Sequence, residues 1–187
     1  WGLTSVARVN LNLPGVIYRT LDQGVQAVVV PHVDTVEDAH AVVDAAKFYP
    51  IGHRGNFTSR QGIGVENYIT KANDETMVIV LIEDIAAVNA LDEILRVDHV
   101  DVFFVAPGDL AQSMGYLGGA NHPEVQKTVN AAIRQIAGAG RVAGALATSS
   151  NVAEYIALGA RFLSTSWPAW MTAGAKDYLA KGEEASP

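Results

Sequence analysis

Glu83 and Asp109 each close a hydrophobic run, Met77-Val78-Ile79-Val80-Leu81-Ile82 before the first and the largely apolar Val100 to Gly108 before the second. Runs of that length read as buried parallel strands, so an acid after each stands at the carboxyl edge of a sheet. Open and closed α/β sheets keep their chemistry at that edge. Two acids on neighbouring strand ends can hold a hard divalent cation, Mg2+, Mn2+ or Co2+, with waters and substrate oxygens completing its shell. The plainer alternative is helix capping: Asp84 suits a helix from Ile85, and Asp109 one over Leu110 to Met114. Residue type and spacing leave both readings open.

Arg8 ends another apolar stretch, which puts its guanidinium at the same rim. There it could form a bidentate pair with a substrate carboxylate or, more plainly, a structural salt bridge. Asp22 falls near the C-terminal end of the first helical stretch, an electrostatically poor place for an acid, which points to a partner elsewhere or to a solvated side chain. The loop 52–62 sets His53, Arg54 and Arg60 among glycines, suited to closing over a substrate or to simple surface mobility. His32, His40, His53, His99 and His122 are scattered, with no i,i+4 pair of the kind that binds zinc on a helix. No P-loop, G-x-G-x-x-G or G-x-S-x-G occurs, so nucleotide-binding and serine-hydrolase readings lack support.

These residues must be positioned by alternating short apolar runs and longer amphipathic stretches. Strands are expected at Ser5 to Val9, Val25 to Val30, Met77 to Ile82, His99 to Val105, Val142 to Ala147 and Phe162 to Thr165. Helices are expected at Pro14 to Gln23, Val36 to Phe48, Val65 to Asn73, Ile85 to Leu95, Glu124 to Ala139, Asn151 to Leu158 and Ala169 to Leu179. Pro50 to Gly64 and Gly108 to Pro123 read as long loops. Asp34-Thr35 followed by Glu37-Asp38 is an N-cap signal for the second helix. Repeated βα units imply a parallel sheet with right-handed crossovers, either doubly wound or most of an eight-stranded barrel.

With 187 residues, 49% of them hydrophobic, the chain suffices for one substantial core, and no composition shift marks a second domain. We therefore expect a single domain over 1–187, with the tail Lys181 to Pro187 frayed. The net charge of −7 and the absence of any Lys/Arg run disfavour nucleic acid as a partner. The absence of cysteine excludes disulfides and thiolate metal sites. No apolar stretch approaches the ~20 residues that span a bilayer, and no signal core is visible, so neither a membrane partner nor secretion is expected and a cytoplasmic location is the default. Trp1-Gly2, without an initiator Met, reads as the start of a processed or truncated chain.

Several stretches resemble one family. They are Gln26 to Thr35 (QAVVVPHVDT), Tyr49 to Gly55 (YPIGHRG), Ile82-Glu83, and most of Val100 to Val125, with its Ala106-Pro107-Gly108-Asp109-Leu110, Met114-Gly115-Tyr116 and Asn121-His122-Pro123-Glu124-Val125 segments. The similarity, which runs over nearly the whole chain, is to the metal-dependent (class II) 2-oxo-acid aldolases of the aldolase/citrate-lyase superfamily. The 4-hydroxy-2-oxoheptane-1,7-dioate and 2-dehydro-3-deoxyglucarate aldolases are of this type. The resemblance implies a (β/α)8 barrel of the phosphoenolpyruvate/pyruvate type, of which this chain would lack the first two βα units. It implies a divalent metal at Glu83 and Asp109, Arg8 on the pyruvate carboxylate and oxygen, and backbone around Ala106, Pro107 and Gly108 lining the carboxylate pocket. It places Asp22, paired with a histidine, in proton transfer. The implied reaction is cleavage of a 4-hydroxy-2-oxo acid to pyruvate and an aldehyde through a metal-stabilised enolate, in a homo-oligomer, typically a hexamer, with active sites near subunit contacts.

The chain departs from that pattern in three places. It has no counterpart of the family's acid/base histidine segment, it carries Leu81 where the family has a glutamine, and its loop after Arg54 is shorter. Two further readings of the same residues stand beside the aldolase: a citrate-lyase-like carbon–carbon lyase acting on an acyl-CoA, and a non-catalytic barrel subunit.

Overall fold

The computed structural model describes residues 2–56 and 60–184. The elements in chain order are β1 (Val6–Arg8), α1 (Pro14–Asp22), β2 (Ala27–Val30), α2 (Val36–Ala46), a 3-10 turn at Arg60–Gly62, α3 (Tyr68–Glu75), β3 (Met77–Ile82), α4 (Ile85–Asn89), α5 (Leu91–Ile94), β4 (Val102–Val105), α6 (Pro107–Ser113), α7 (Pro123–Gly138), β5 (Val142–Leu146), α8 (Val152–Ala157), β6 (Ala160–Ser164) and α9 (Trp167–Glu184).

The strands pair in the order β1-β2-β3-β4-β5-β6, every neighbour parallel. A doubly wound sheet reverses its strand order at a switch point, and no reversal occurs here. The winding is in one direction and the result is a curled six-stranded half-barrel. Alternation along each strand divides the apolar residues between two faces. Val28, Val30, Val78, Val80, Ile82, Phe103 and Val105 belong to the large core that includes helix residues such as Ile17, Val42, Leu91 and Ile133. Ala27, Ile79, Leu81, Val102 and Phe104 form a separate cluster on the opposite, concave face. Apolar residues on both faces are what produced the unbroken hydrophobic runs in the sequence.

Local signals account for the element ends that carry the site. Thr35 caps α2 through a reciprocal box: its hydroxyl accepts the Asp38 N–H, and the Asp38 carboxylate accepts the Thr35 N–H. Asp84 caps α4 through the Ala86 N–H. The single helix expected over Ile85 to Leu95 is two, because Ala90 leaves helical geometry (ψ 7°) and turns Leu91 and Ile94 fully into the core. The loop expected from Gly108 begins instead with α6. Pro107 at its first position presets the helical φ, and Leu110 and Ala111 anchor it in the core. Gly108 and the helix's short length had hidden that periodicity. At the other end, α9 runs through Glu184, so Lys181 to Glu184 of the expected frayed tail are helical, and residues 185–187 lie outside the described ones. Among the described residues no helix is long and apolar enough to cross a membrane.

Candidate active site

The carboxyl edge of the sheet opens into a cleft of about 670 Å3. Arg8, Glu83, Asp109 and the Ala106-Pro107-Gly108 segment all line it, so six of the seven predicted site residues come together. Asp22 is the exception.

Glu83 follows β3 directly and its side chain is 3% exposed. The main-chain N–H of His32 donates to its Oε1 at 3.0 Å, and the Arg8 Nη2 lies 3.7 Å from its Oε2, too long for a hydrogen bond. Oε2 is buried without a hydrogen-bond partner. Burial pushes the Glu83 carboxyl above its ordinary pKa and the nearby Asp109 charge adds to the rise; the His32 N–H, Arg8 and the His32 ring oppose it. Removing one carboxylate oxygen from water without a partner is costly, and a cation on that oxygen would repay the cost.

Asp109 sits at the third position of α6, exposed, where the free N–H groups of the first turn favour its negative charge. Its neighbour Gly108 also has no intrahelical acceptor for its N–H, and Pro107 has none to offer. Arg8, at the end of β1, keeps a side chain 58% exposed above the cleft. Among the described residues no group of three or more His, Asp or Glu is arranged to hold a metal by itself. The cleft's carboxylates are Glu83 and Asp109, one with a buried unpaired oxygen, and two such groups could hold a hard cation that keeps waters and takes oxygens from a substrate.

Beneath the rim lies an apolar layer. Leu81 pairs with Phe104, Phe104 with Gly144, and Gly144 with Phe162 across β3 to β6. The two phenyl rings meet edge to face at 6.2 Å. Gly144 makes room for this: a Cβ there would come within 2.7 Å of Phe104 Cδ2 and 2.9 Å of Val102 Cγ1. Gly144→Ala is expected to displace Phe104 on the cleft floor at a cost of about 1–3 kcal/mol, read as a lowered urea midpoint with unchanged slope. Leu81, 4% exposed, is held within this layer.

Asp22 ends α1 and lies five residues before β2 begins, which places it at the amino edge of the sheet, away from the cleft. Its Oδ1 accepts Arg54 Nη2 at 2.8 Å, with side chains 5% and 2% exposed, and the Arg54 guanidinium covers the Phe48 ring at 4.6 Å. The acid in an electrostatically poor helix position does have a partner elsewhere. The same pairing removes Arg54 from any closing loop: the segment leaves the amino edge after α2, and His53 Nδ1 is bound to Asp44 Oδ1. Phe57, Thr58 and Ser59 of that loop lie outside the described residues. Sequence reasoning missed His32, grouping it with the scattered histidines. Its place just past Pro31 and β2, at the same edge as Glu83, was the available signal.

A family model described as HpcH/HpaI aldolase/citrate lyase matches residues 2–168. The chain belongs to this family. It is 42% identical over 154 residues to a 2-keto-3-deoxy-L-rhamnonate aldolase of Klebsiella pneumoniae, a match covering 79% of this chain and 57% of that protein. The enzyme of the same description from Escherichia coli K12 is 41% identical over the same coverage. The chain thus spans a little over half the length of the curated relatives it matches. Among solved structures, a family member from Burkholderia cenocepacia J2315 superposes with a TM-score of 0.88 at 28% identity, covering 96% of this chain and 74% of that one.

Proposed function

We propose that this family member is part of a cytoplasmic, divalent-metal-dependent aldolase that cleaves a 4-hydroxy-2-oxo acid to pyruvate and an aldehyde. In this reading the chain supplies the third to eighth units of a (β/α)8 barrel. The observation that carries it is Glu83 Oε2, buried and unpaired on the cleft that Arg8 and Asp109 also line. Glu83 and Asp109 would hold the cation, Mg2+, Mn2+ or Co2+. When bound, it would supply positive charge against the negative charge that develops on the keto oxygen as the C3–C4 bond breaks.

The remaining work falls to the chain's own groups. Arg8 orients the 2-oxo acid by engaging its carboxylate and keto oxygens with a planar, multidentate donor. The N–H groups of Gly108 and Asp109 bind the carboxylate from the other side. The apolar layer of Leu81, Phe104 and Phe162 excludes water from beneath the reacting carbons. Asp22 can join a histidine in proton transfer only across a contact with another subunit, because its own cleft lies at the opposite edge. A homo-oligomer, hexameric in the family resemblance, provides such a contact.

The cleft has one described cationic side chain, Arg8, against two carboxylates, a poor match for the phosphates of an acyl-CoA. The test is exchange of the pyruvate methyl protons in D2O, followed by NMR with and without Mn2+, together with cleavage of 2-keto-3-deoxy-L-rhamnonate, the compound acted on by the relatives named above. Exchange that requires the metal supports the reading, and exchange that persists in excess chelator contradicts it. Arg8→Lys is expected to raise the KM for pyruvate in this assay by roughly 10–100-fold, the worth of a lost charge-assisted hydrogen bond. An unchanged KM would take Arg8 out of substrate binding.

A further inference from the structure

Glu83 is hydrogen-bonded on one oxygen only, the other having Arg8 Nη2 at 3.7 Å but no hydrogen bond. The oxygen that is engaged, Oε1, is held by the main-chain N–H of His32 at 3.0 Å, whereas Oε2 is buried with no hydrogen-bond partner. His32 itself has a left-handed backbone conformation, φ 56°, immediately after Pro31. That N–H lies in the Pro31–His32 peptide plane, and the positive φ turns the chain that follows, toward buried Val33 and α2, so that it leaves the sheet with the plane still facing Glu83. The imidazole makes no comparable contact: its Nδ1 stands 3.6 Å from the same Oε1, and the side chain is 67% exposed.

We propose that the left-handed turn at His32, and not its imidazole, is the device that positions Glu83, engaging Oε1 through the main chain and so reserving Oε2 for a divalent cation shared with Asp109. The inference rests on the metal site proposed above and gives His32 a positioning role rather than a ligating one. His32 lies beside Glu83, yet no three-residue ligand group exists among the described residues, which accords with a neighbour that orients a ligand without becoming one. Groups that orient metal ligands from behind commonly tune affinity as strongly as this role requires. A main-chain donor has a further property: it survives any side-chain replacement that tolerates the turn. The side chain at position 32 should therefore matter only through the backbone conformation it allows.

Three replacements separate the turn from the ring. His32→Gly and His32→Asn remove the imidazole and tolerate a positive φ, whereas His32→Val removes it and opposes that conformation through its branched Cβ. Mn2+ affinity of the purified protein, by titration calorimetry and by the EPR signal of free Mn2+, is the readout. His32→Val is expected to weaken Mn2+ binding by about 10- to 100-fold, and His32→Gly and His32→Asn to rescue it to within about threefold of the parent protein. Circular dichroism fixes the folded fraction used for each value, and His32→Ala, milder in the same direction, replaces the valine variant if that one does not fold. Equal loss in the Gly, Asn and Val variants would assign the role to the imidazole and overturn the proposal. Undiminished affinity in the folded Val or Ala variant would overturn it as well. Absence of Mn2+ binding by the parent protein, or unaltered binding by Glu83→Gln, would instead overturn the metal site on which the proposal rests.

Discussion

Glu83→Gln is expected to reduce Mn2+-dependent exchange of the pyruvate methyl protons by at least about 100-fold and, in the same protein without metal, to raise the melting temperature at neutral pH. The first effect follows from replacing the anionic oxygen that faces the cleft by a neutral group, which removes the charge that would hold the cation. The second follows from burial. The Glu83 carboxyl binds its proton more tightly in the folded protein than in the unfolded chain, because desolvation, aided by Asp109, raises its pKa. The native state therefore holds more protons than the unfolded state from the ordinary glutamate pKa up through the raised value, and stability falls as pH rises across that mildly acidic window. Above it the loss is complete. An amide has no such dependence, so the stability difference between the variant and the parent should open across the window and then level off. Loss of function with gain of metal-free stability is the signature of a carboxylate kept at a site at the expense of the fold. A variant that loses both exchange and stability would mean that Glu83 is primarily structural.

Arg54→Met is expected to destabilise the protein by about 3–5 kcal/mol, since it leaves Asp22 buried with its principal partner gone. For a chain of this size that is a fall in Tm of roughly 6–20 °C. The nearest remaining cation, Arg19, lies 3.8 Å from the other carboxylate oxygen and is 65% exposed, so it cannot replace a 2.8 Å contact in the interior. The guanidinium also covers the Phe48 ring, and methionine restores only the packing part of that contact. The double variant Asp22→Leu/Arg54→Met removes both charges and should recover most of the loss. Thermal melts of the four proteins give the coupling directly. Near-additive single effects would show that the pair contributes little as a pair.

The carboxyl edge that opens into the cleft was legible in the sequence because β3 and β4 are buried on both faces. The run from Met77 to Ile82 has one side in the helix-packed core and the other in the concave cluster, so no polar residue interrupts it until Glu83. That interruption is what made Glu83 visible, and the same holds for Asp109 after β4. Arg8 was readable from the apolar residues before it alone, for β1 is an edge strand and largely exposed. What periodicity left open, a doubly wound sheet or a barrel-type winding, depends on strand order, and the parallel pairs in sequential order decide it.

Other features could not be read because residue type does not print backbone conformation or distant pairing. Nothing in Pro31-His32-Val33 announces a left-handed turn at a histidine, a residue far less permissive there than glycine. The Asp22–Arg54 pair joins residues 32 apart in the chain, and only the unfavourable helix position of Asp22 hinted that a partner existed. Arg54, read among glycines as a loop cation, proved to be one of the most buried charges in the described structure. Helix α6 was hidden by Gly108, whose weak propensity is offset by Pro107 before it and by the burial of Leu110 and Ala111 after it.

In the proposed function Glu83 and Asp109 together hold one divalent cation at the cleft. Anomalous diffraction from crystals soaked in Mn2+ tests it most directly. A single strong peak is expected within coordination distance of Glu83 Oε2 and an Asp109 carboxylate oxygen, weakened or lost in Glu83→Gln crystals. A peak at another acidic pair on the same edge, such as Asp34 and Asp84, with none at Glu83 would contradict it.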